Sequence, residues 1–397
     1  MRRTTSRQIF LAAPVRTPIG KFGGALSSLT APELGAIAAK ACIKRAGISP
    51  NQIEEVIFGH ARQAGAGPNP ARQIVRKSCC SETVPAYTIN KACASGMKAI
   101  ASAYQAIALG DADIILAGGT ESMSNTPYLL PNARWGYRLG HSEIVDGMYR
   151  DGFLCPLCGE VMGATAENLA AKYQITRQES DEYALMSQQR CASAQKQNRF
   201  ADEIVAVEIE SKGKKNVVSS DEHPKPETTA DGLAKLKPVF RESGTVTAGN
   251  ASGITDAAAA ILVVSEDKVV DLASKPVAKI VDYTVAGVDP AIMGIGPVPA
   301  IRQLLERNGL SLKDIDLIEL NEAFAVQILA CHRELNFDMN RLNVNGGAIA
   351  LGHPIGCSGA RITVTLLHEM VKRDVTLGLA TLCVSGGMGM TLLLERV

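Results

Sequence analysis

Net charge is nearly missing from this chain: 41 basic side chains meet 40 acidic ones across 397 residues, leaving a formal charge of +1. So balanced a chain offers no broad attraction to a nucleic-acid backbone or an anionic membrane surface, and neither is expected as a partner. Also missing is any apolar run near the roughly 20 residues that a bilayer-spanning helix needs. The basic start, Met1 to Arg7, is too short for a secretory or transit segment ahead of Ile9-Phe10-Leu11-Ala12. The mature chain is therefore expected to begin near residue 1 and to stay in a reducing, cytoplasmic compartment. The ten cysteines fit that view, being scattered through a long, core-rich chain and not spaced as the staples of a small secreted domain. After Cys155 and Cys158, too, no second close cysteine pair follows. Cys155-Pro156-Leu157-Cys158 has the spacing of half a zinc site or of a redox pair, yet Cys191 stands alone, so no metal is expected and the pair reads as local packing.

What the chain does have is apolar material, 46% of it, enough for one large core or two ordinary ones. Its length alone suggests two or three domains. Short apolar runs alternate with amphipathic stretches, the pattern of α/β units. Strands are predicted at 8–13, 55–59, 86–90, 114–118, 317–320 and 377–384. Helices are predicted at 31–45, 94–109, 297–308, 322–334 and 358–372, with two more at 162–173 and 177–197. Residues 125–159 are rich in proline, glycine and isolated aromatics and read as a long ordered loop region. Residues 211–226, polar and charged, read as a surface connection.

Self-similarity organises these elements. Gly47-Ile48-Ser49 followed by Ile53-Glu54-Glu55-Val56 matches Gly309-Leu310-Ser311 followed by Ile315-Asp316-Leu317-Ile318, at an offset of 262 residues. Ser95-Gly96 recurs as Ser358-Gly359 at an offset of 263, and Gly118-Gly119 as Gly386-Gly387 at 268. Three matches in one order at nearly constant offset predict a duplicated half. The first half would comprise 1–120 with 251–272, the second 273–397, and 121–250 would be an insert.

Four segments carry chemistry. In Asn90-Lys91-Ala92-Cys93-Ala94-Ser95-Gly96 a cysteine leaves a strand and opens a helix, where the helix N-terminus favours thiolate and a covalent role. In Asn345-Gly346-Gly347-Ala348-Ile349-Ala350-Leu351-Gly352-His353-Pro354-Ile355-Gly356, four glycines frame one histidine, a residue that titrates near neutrality and can activate a thiol. Cys383-Val384-Ser385-Gly386-Gly387 again places a reactive side chain before a glycine turn whose N–H groups can meet developing charge. Asn321-Glu322-Ala323-Phe324 offers an amide able to hold a water.

Together these segments resemble the thiolase family, and the resemblance runs from Ala13-Pro14-Val15-Arg16-Thr17-Pro18 through Gly249-Asn250-Ala251-Ser252-Gly253 to the Cys383 motif. It implies a thiolase fold, two duplicated α/β halves forming a five-layered αβαβα core with an inserted loop domain. It also implies an acyltransferase whose substrates are coenzyme A and acyl-CoA, with no tightly bound cofactor. In the family's scheme Cys93 becomes acylated with His353 as its base, and Cys383 is the acid/base on the second substrate. One oxyanion site would combine His353 with a water on Asn321, the other the N–H groups of Cys93 and Ser385. Ser252 would sit near the pantetheine arm, Met162, Met293 and Phe324 at the acyl end, and Lys225 near the nucleotide. The family assembles as dimers or tetramers, and a role in fatty acid metabolism follows from its substrates.

The chain departs from the family pattern in places. Val161 stands where many acetyl-CoA-specific members have histidine, which leaves a broader acyl range open. Thr255 and Ala257 replace the usual asparagine and glycine, and Ser385 stands where glycine is common. Two rivals remain: a related ketoacyl synthase, which uses one cysteine with two histidines, and a degenerate fold that binds CoA or lipid without catalysis.

Overall fold

The computed structural model describes residues 7–397 apart from residue 212. Its centre is one ten-stranded ladder. In spatial order the main strands are Leu317–Leu320, Leu377–Val384, Met388–Arg396, Ala278–Gly287, Ile9–Arg16, Thr255–Ser265, Ile114–Ser122, Glu55–Gly59 and Ala86–Ile89; the short Gly20–Lys21 pairs with Thr255–Ser265. The two ends of this ladder repeat one plan. Glu55–Gly59 runs parallel to Ile114–Ser122, which is antiparallel to Thr255–Ser265, which is antiparallel to Ile9–Arg16. Likewise Leu317–Leu320 runs parallel to Leu377–Val384, which is antiparallel to Met388–Arg396, which is antiparallel to Ala278–Gly287. Within the ladder, the described residues of the two halves pair at Phe10 opposite Lys279 and Leu11 opposite Ala278.

Side-chain alternation turns this ladder into layers. Along Thr255–Ser265, Ala257, Ala259, Ile261 and Val263 pack with the helices Ser95–Leu109 and Ile355–Arg373. Ala258, Ala260, Leu262 and Val264 pack on the other side with the helix Ala31–Ala46. The second half does the same. Ala380, Leu382 and Val384 face the same central helices, while Leu379 and Cys383 face a cluster built from Pro297–Asn308, Ala325–Leu335 and Met162–Tyr173. Successive strand residues point to opposite faces, so each half-sheet is buried on both sides. The result is five layers, helix–sheet–helix–sheet–helix.

Two of the three sequence matches have a physical basis. Gly47 (φ +68°) and Gly309 (φ +65°) each end a helix in the left-handed conformation, and Ser49 and Ser311 each open a one-turn helix before the next strand. A Cβ on Gly96 would lie 2.8 Å from the Ala360 nitrogen, and one on Gly359 would lie 2.5 Å from the Met97 nitrogen. These are reciprocal contacts of the two central helices about a pseudo-twofold. The third match fails. Gly118 and Gly119 lie inside a strand, where Gly119 lets the Gly356 carbonyl approach, whereas Gly386 and Gly387 form a turn with φ of +85° and +82°.

Several strands and boundaries differ from expectation. Thr255–Ser265, Ala278–Gly287 and Met388–Arg396 were not among the predicted strands, and Pro70–Lys77 is an unpredicted helix. Thr255–Ser265 is buried on both faces, so its alanine-rich run shows no alternation to read. The helix expected from residue 322 begins at Ala325, because Glu322 is drawn elsewhere; the one expected from 358 begins at Ile355, just after Pro354. Part of the expected surface connection is a hairpin, Val207–Ser211 with Lys214–Val218, and its Asp221 is buried. Asp221 and Glu203 clamp the fully buried Arg16 at 2.7 and 2.5 Å, which pulls that connection inward.

Between Ile114–Ser122 and Thr255–Ser265 the chain makes its long excursion, where the second half has only the turn Ser385-Gly386-Gly387. Within 125–159 it forms a two-residue strand pair and single helical turns, as a long ordered loop should.

Candidate active site

Three of the candidate side chains lie just past or at the carboxyl end of a parallel strand, while His353 sits between the helices Ala348–Leu351 and Ile355–Arg373. Cys93 follows Ala86–Ile89, Asn321 follows Leu317–Leu320, and Cys383 is the penultimate residue of Leu377–Val384. The Cys93 turn is held by short-range bonds. Ala92 takes φ +45°, and its amide donates to Asn90 Oδ1 at 3.0 Å. Ser95 Oγ accepts from the Lys91 amide at 2.8 Å and donates to the Ala92 carbonyl at 2.7 Å. Without these bonds a left-handed alanine would be unfavourable.

The histidine segment is fixed by the carboxylate of Glu322. It accepts from Tyr183 Oη at 2.8 Å, Ser187 Oγ at 2.7 Å, Asn343 Nδ2 at 3.0 Å and the Ile349 amide at 3.1 Å. The framing glycines serve this packing and not the approach of a ligand: a Cβ on Gly347 would meet Glu322 at 2.3 Å, and one on Gly352 would meet Thr255 at 2.2 Å. On the other side, Glu121 is fully buried and accepts from the Gly356 amide at 2.7 Å and pairs with His60 at 2.9 Å. Burial opposes charge on both partners, but each outweighs it for the other: Glu121 is held below the usual carboxylate range and His60 above the usual imidazole range.

Cys93, His353, Cys383, Ser385, Ser252, Met162, Met293 and Phe324 converge on one cavity of about 220 Å³. Its walls are mostly apolar, with Phe153, Val161, Phe240, Ile254 and Ile355 adding to the methionines, and Arg62 the one charged side chain. Asn321 is 1% exposed, two residues before the lining Ala323, and neither its Nδ2 nor its Oδ1 has a protein partner. Lys225 is exposed and lies outside the cavity; its backbone amide donates to Gln188 at 3.0 Å. No group of three or more metal-ligating side chains occurs among the described residues.

Sequence reading missed Arg62, Phe153 and Phe240. Arg62 follows the strand Glu55–Gly59 by three residues, and strand-end position was the signal that would have found it. Phe240 lies against Gly163, in a loop with no periodicity to flag it.

The protonation states follow from the surroundings. His353 Nδ1 lies 2.5 Å from Ser358 Oγ, and that hydroxyl donates to the Pro354 carbonyl at 2.9 Å. Since the serine proton is already used, Nδ1 must carry the hydrogen and donate it. Nε2 is then a bare acceptor, and it has no protein partner. Burial, with the charges of Arg361 and Arg62 behind it, holds the ring's pKa down to about 3, so it is neutral. Burial also raises the Cys93 thiol, against the Ser385 and Cys93 amides and Arg62, which favour the thiolate. The expected thiolate at a helix N-terminus is therefore overturned, because loss of water in an apolar cavity outweighs those N–H groups. Cys383, 1% exposed, is pushed well above the usual thiol range by burial and next by the neighbouring charge Cys93 would carry.

Sequence comparison agrees with this geometry. The family model described as "Thiolase, N-terminal domain" matches residues 9–267, and "Thiolase, C-terminal domain" matches 274–396. The chain is 53% identical over 388 residues to an acetyl-CoA acetyltransferase of Escherichia coli (strain K12), covering 98% of each. It is 51% identical to that of Chromobacterium violaceum over 98% of this chain and 100% of the relative. Among solved structures it resembles the Bacillus anthracis acetyl-CoA acetyltransferase with TM-score 0.97 and 47% identity, covering 100% of both chains. It resembles the human mitochondrial 3-ketoacyl-CoA thiolase in complex with CoA with TM-score 0.95 and 43% identity, again covering 100% of both. The chain belongs to the thiolase family.

Proposed function

We propose that this chain is a CoA-dependent acyltransferase that condenses acetyl-CoA with an acyl-CoA, and in reverse cleaves 3-ketoacyl-CoA with CoA, through an acyl group on Cys93. The observation that carries the reading is the single apolar cavity that gathers two thiols and one imidazole with a bare Nε2.

In the first half-reaction Cys93 gives its proton to His353 Nε2 as its sulfur attacks the thioester carbonyl. While Nε2 holds that proton it is a donor, so the same imidazole can steady the oxyanion, with Asn321 holding a water beside it; the departing CoA sulfur then takes the proton from Nε2 and leaves as the thiol. The Asn321 amide suits that task because it is buried with no protein bond to give up. In the second half-reaction Cys383, as thiolate, removes the α-proton of acetyl-CoA, and the carbanion attacks the acyl carbon on Cys93, whose sulfur is expelled and takes that proton from Cys383. The Cys93 and Ser385 amides, already aimed at Cys93 sulfur, stabilise the oxygen of that intermediate. Each such donor contributes roughly 3–4 kcal/mol at comparable oxyanion sites. Before that second step Cys383 must lose its own proton to solvent, because burial holds the thiol protonated at rest.

Val161 and the apolar walls favour an acyl range wider than acetyl. Ser252 would meet the pantetheine arm and exposed Lys225 the nucleotide end. Assembly as a dimer or tetramer is supported by the insert, where Trp135 is 83% exposed and Leu139 and Ile144 are bare. A part in fatty acid metabolism would follow from 3-ketoacyl-CoA chemistry. A ketoacyl synthase would place a second histidine in the cavity, where Cys383 stands.

The test is thiolysis by the purified protein across 3-ketoacyl-CoA substrates of increasing length, with Cys93 alkylation followed in parallel. Turnover of more than the shortest substrate, with acetyl-CoA protecting Cys93 from iodoacetamide, is expected. No turnover and equal labelling with and without acetyl-CoA would contradict the reading.

A further inference from the structure

The loop Cys155-Pro156-Leu157-Cys158-Gly159-Glu160 is built as a closed unit against the active site. Leu154 bridges Val161, the Cys155 amide donates to the Glu160 carbonyl at 2.9 Å, and the Gly159 amide donates to the Cys155 carbonyl at 2.8 Å. The loop packs on the Ser385-Gly386 turn: Cys155, Pro156 and Leu157 line one cleft with Ser385 and Gly386, and a Cβ on Gly386 would lie 3.8 Å from Leu157 Cδ1. Gly386 belongs to the turn after Cys383, next to the Ser385 amide aimed at Cys93. On the chain, the loop is flanked by Gly152 and Phe153 before it and Val161, Met162 and Gly163 after it, all of which line the catalytic cavity. Cys155 is 2% exposed, Cys158 is half-buried, and Leu157 between them is 70% exposed, so the loop touches solvent on one side and the site on the other.

We propose that Cys155 and Cys158 are a modification site, a dithiol that a low-molecular-weight disulfide closes reversibly, and that closure lowers acyl transfer by shifting the Ser385-Gly386 turn. The coupling to acyl transfer rests on the reading of Ser385 given above; the dithiol itself does not. The more exposed Cys158, as thiolate, attacks one sulfur of the disulfide R–S–S–R, forming a mixed disulfide and releasing RS⁻. Cys155, as thiolate, then attacks the Cys158 sulfur, forming the intraloop bond and releasing the second RS⁻. The two cysteine protons end on two RSH, each cysteine sulfur is oxidised by one electron, and the external disulfide is reduced by two. In the closed state a short ring replaces the open turn between Phe153 and Val161, against which Ser385 and Gly386 pack.

The full-length enzyme is equilibrated in graded mixtures of reduced and oxidised glutathione. Thiolysis is assayed, free thiols are capped with N-ethylmaleimide, and peptides are mapped by mass. The expected result is a 155–158 disulfide that rises as activity falls severalfold, with both reversed by dithiothreitol while Cys93 remains cappable. Cys158→Ser should keep thiolysis within about twofold when reduced and lose the reversible inhibition. Two capped thiols at 155 and 158 throughout would overturn the proposal, as would a formed disulfide with unchanged activity. If the fully reduced enzyme performs no thiolysis, the proposed function fails, while the mapped disulfide still reports on the dithiol alone.

Discussion

The Cys93 thiol and the His353 imidazole in the cavity are both neutral at rest, and that state sets what each can do in the proposed reaction. Desolvation moves the two groups in opposite senses, Cys93 upward and His353 down to about 3, so transferring a proton between them is uphill until substrate arrives. The free enzyme should therefore behave unlike an ion-paired thiolate. Its rate of alkylation at Cys93 by iodoacetamide should keep rising past about pH 8.5, the ordinary thiol value. A plateau reached below neutrality would mean a thiolate–imidazolium pair instead. Asn321 makes a second prediction at this scale. Replacing it by alanine removes two buried polar atoms that serve no protein partner, so the fold should persist while kcat falls about 10²–10³-fold, measured by steady-state thiolysis. A matching loss of thermal stability would indicate a structural role. These residues were legible because their neighbours are: glycine turns and strand ends mark Cys93, His353 and Cys383. Their protonation states were not, since those depend on walls such as Phe153 and Phe240 that the excursion brings from far along the chain.

At the scale of elements, the central helix pair decides the geometry. Ser95–Leu109 carries Cys93 at its head, and Ile355–Arg373 follows His353, so the distance between these helices sets how nucleophile and base meet. Close approach is possible because Gly96, Gly119, Gly356 and Gly359 lack side chains where backbone atoms come near. Gly119→Ala would set a Cβ 2.5 Å from the Gly356 carbonyl oxygen. It should cost about 1–3 kcal/mol by chemical denaturation and lower activity with it. An unchanged midpoint would show that the helix pair tolerates separation. The sequence revealed this element through Ser95-Gly96 and Ser358-Gly359, a match whose physical cause is the crossing itself. It misled at Gly118-Gly119 and Gly386-Gly387, because glycine serves close packing at the first pair and a left-handed turn at the second. The strand Thr255–Ser265 escaped notice for a related reason: burial on both faces erases the alternation by which strands are recognised.

Across the whole molecule, the two similar halves place two strand-end cysteines at one cavity, whose walls come in part from the excursion between the halves. The division of labour between those cysteines is the central claim. Cys383→Ser isolates it, since the serine keeps the size of the side chain and removes its capacity as a base. The variant is incubated with acetyl-CoA, quenched in acid and mapped by mass. The account predicts an acetyl group on Cys93, with condensation and thiolysis lost. A variant that leaves Cys93 unacylated, or that carries the acetyl group on another residue, would contradict it.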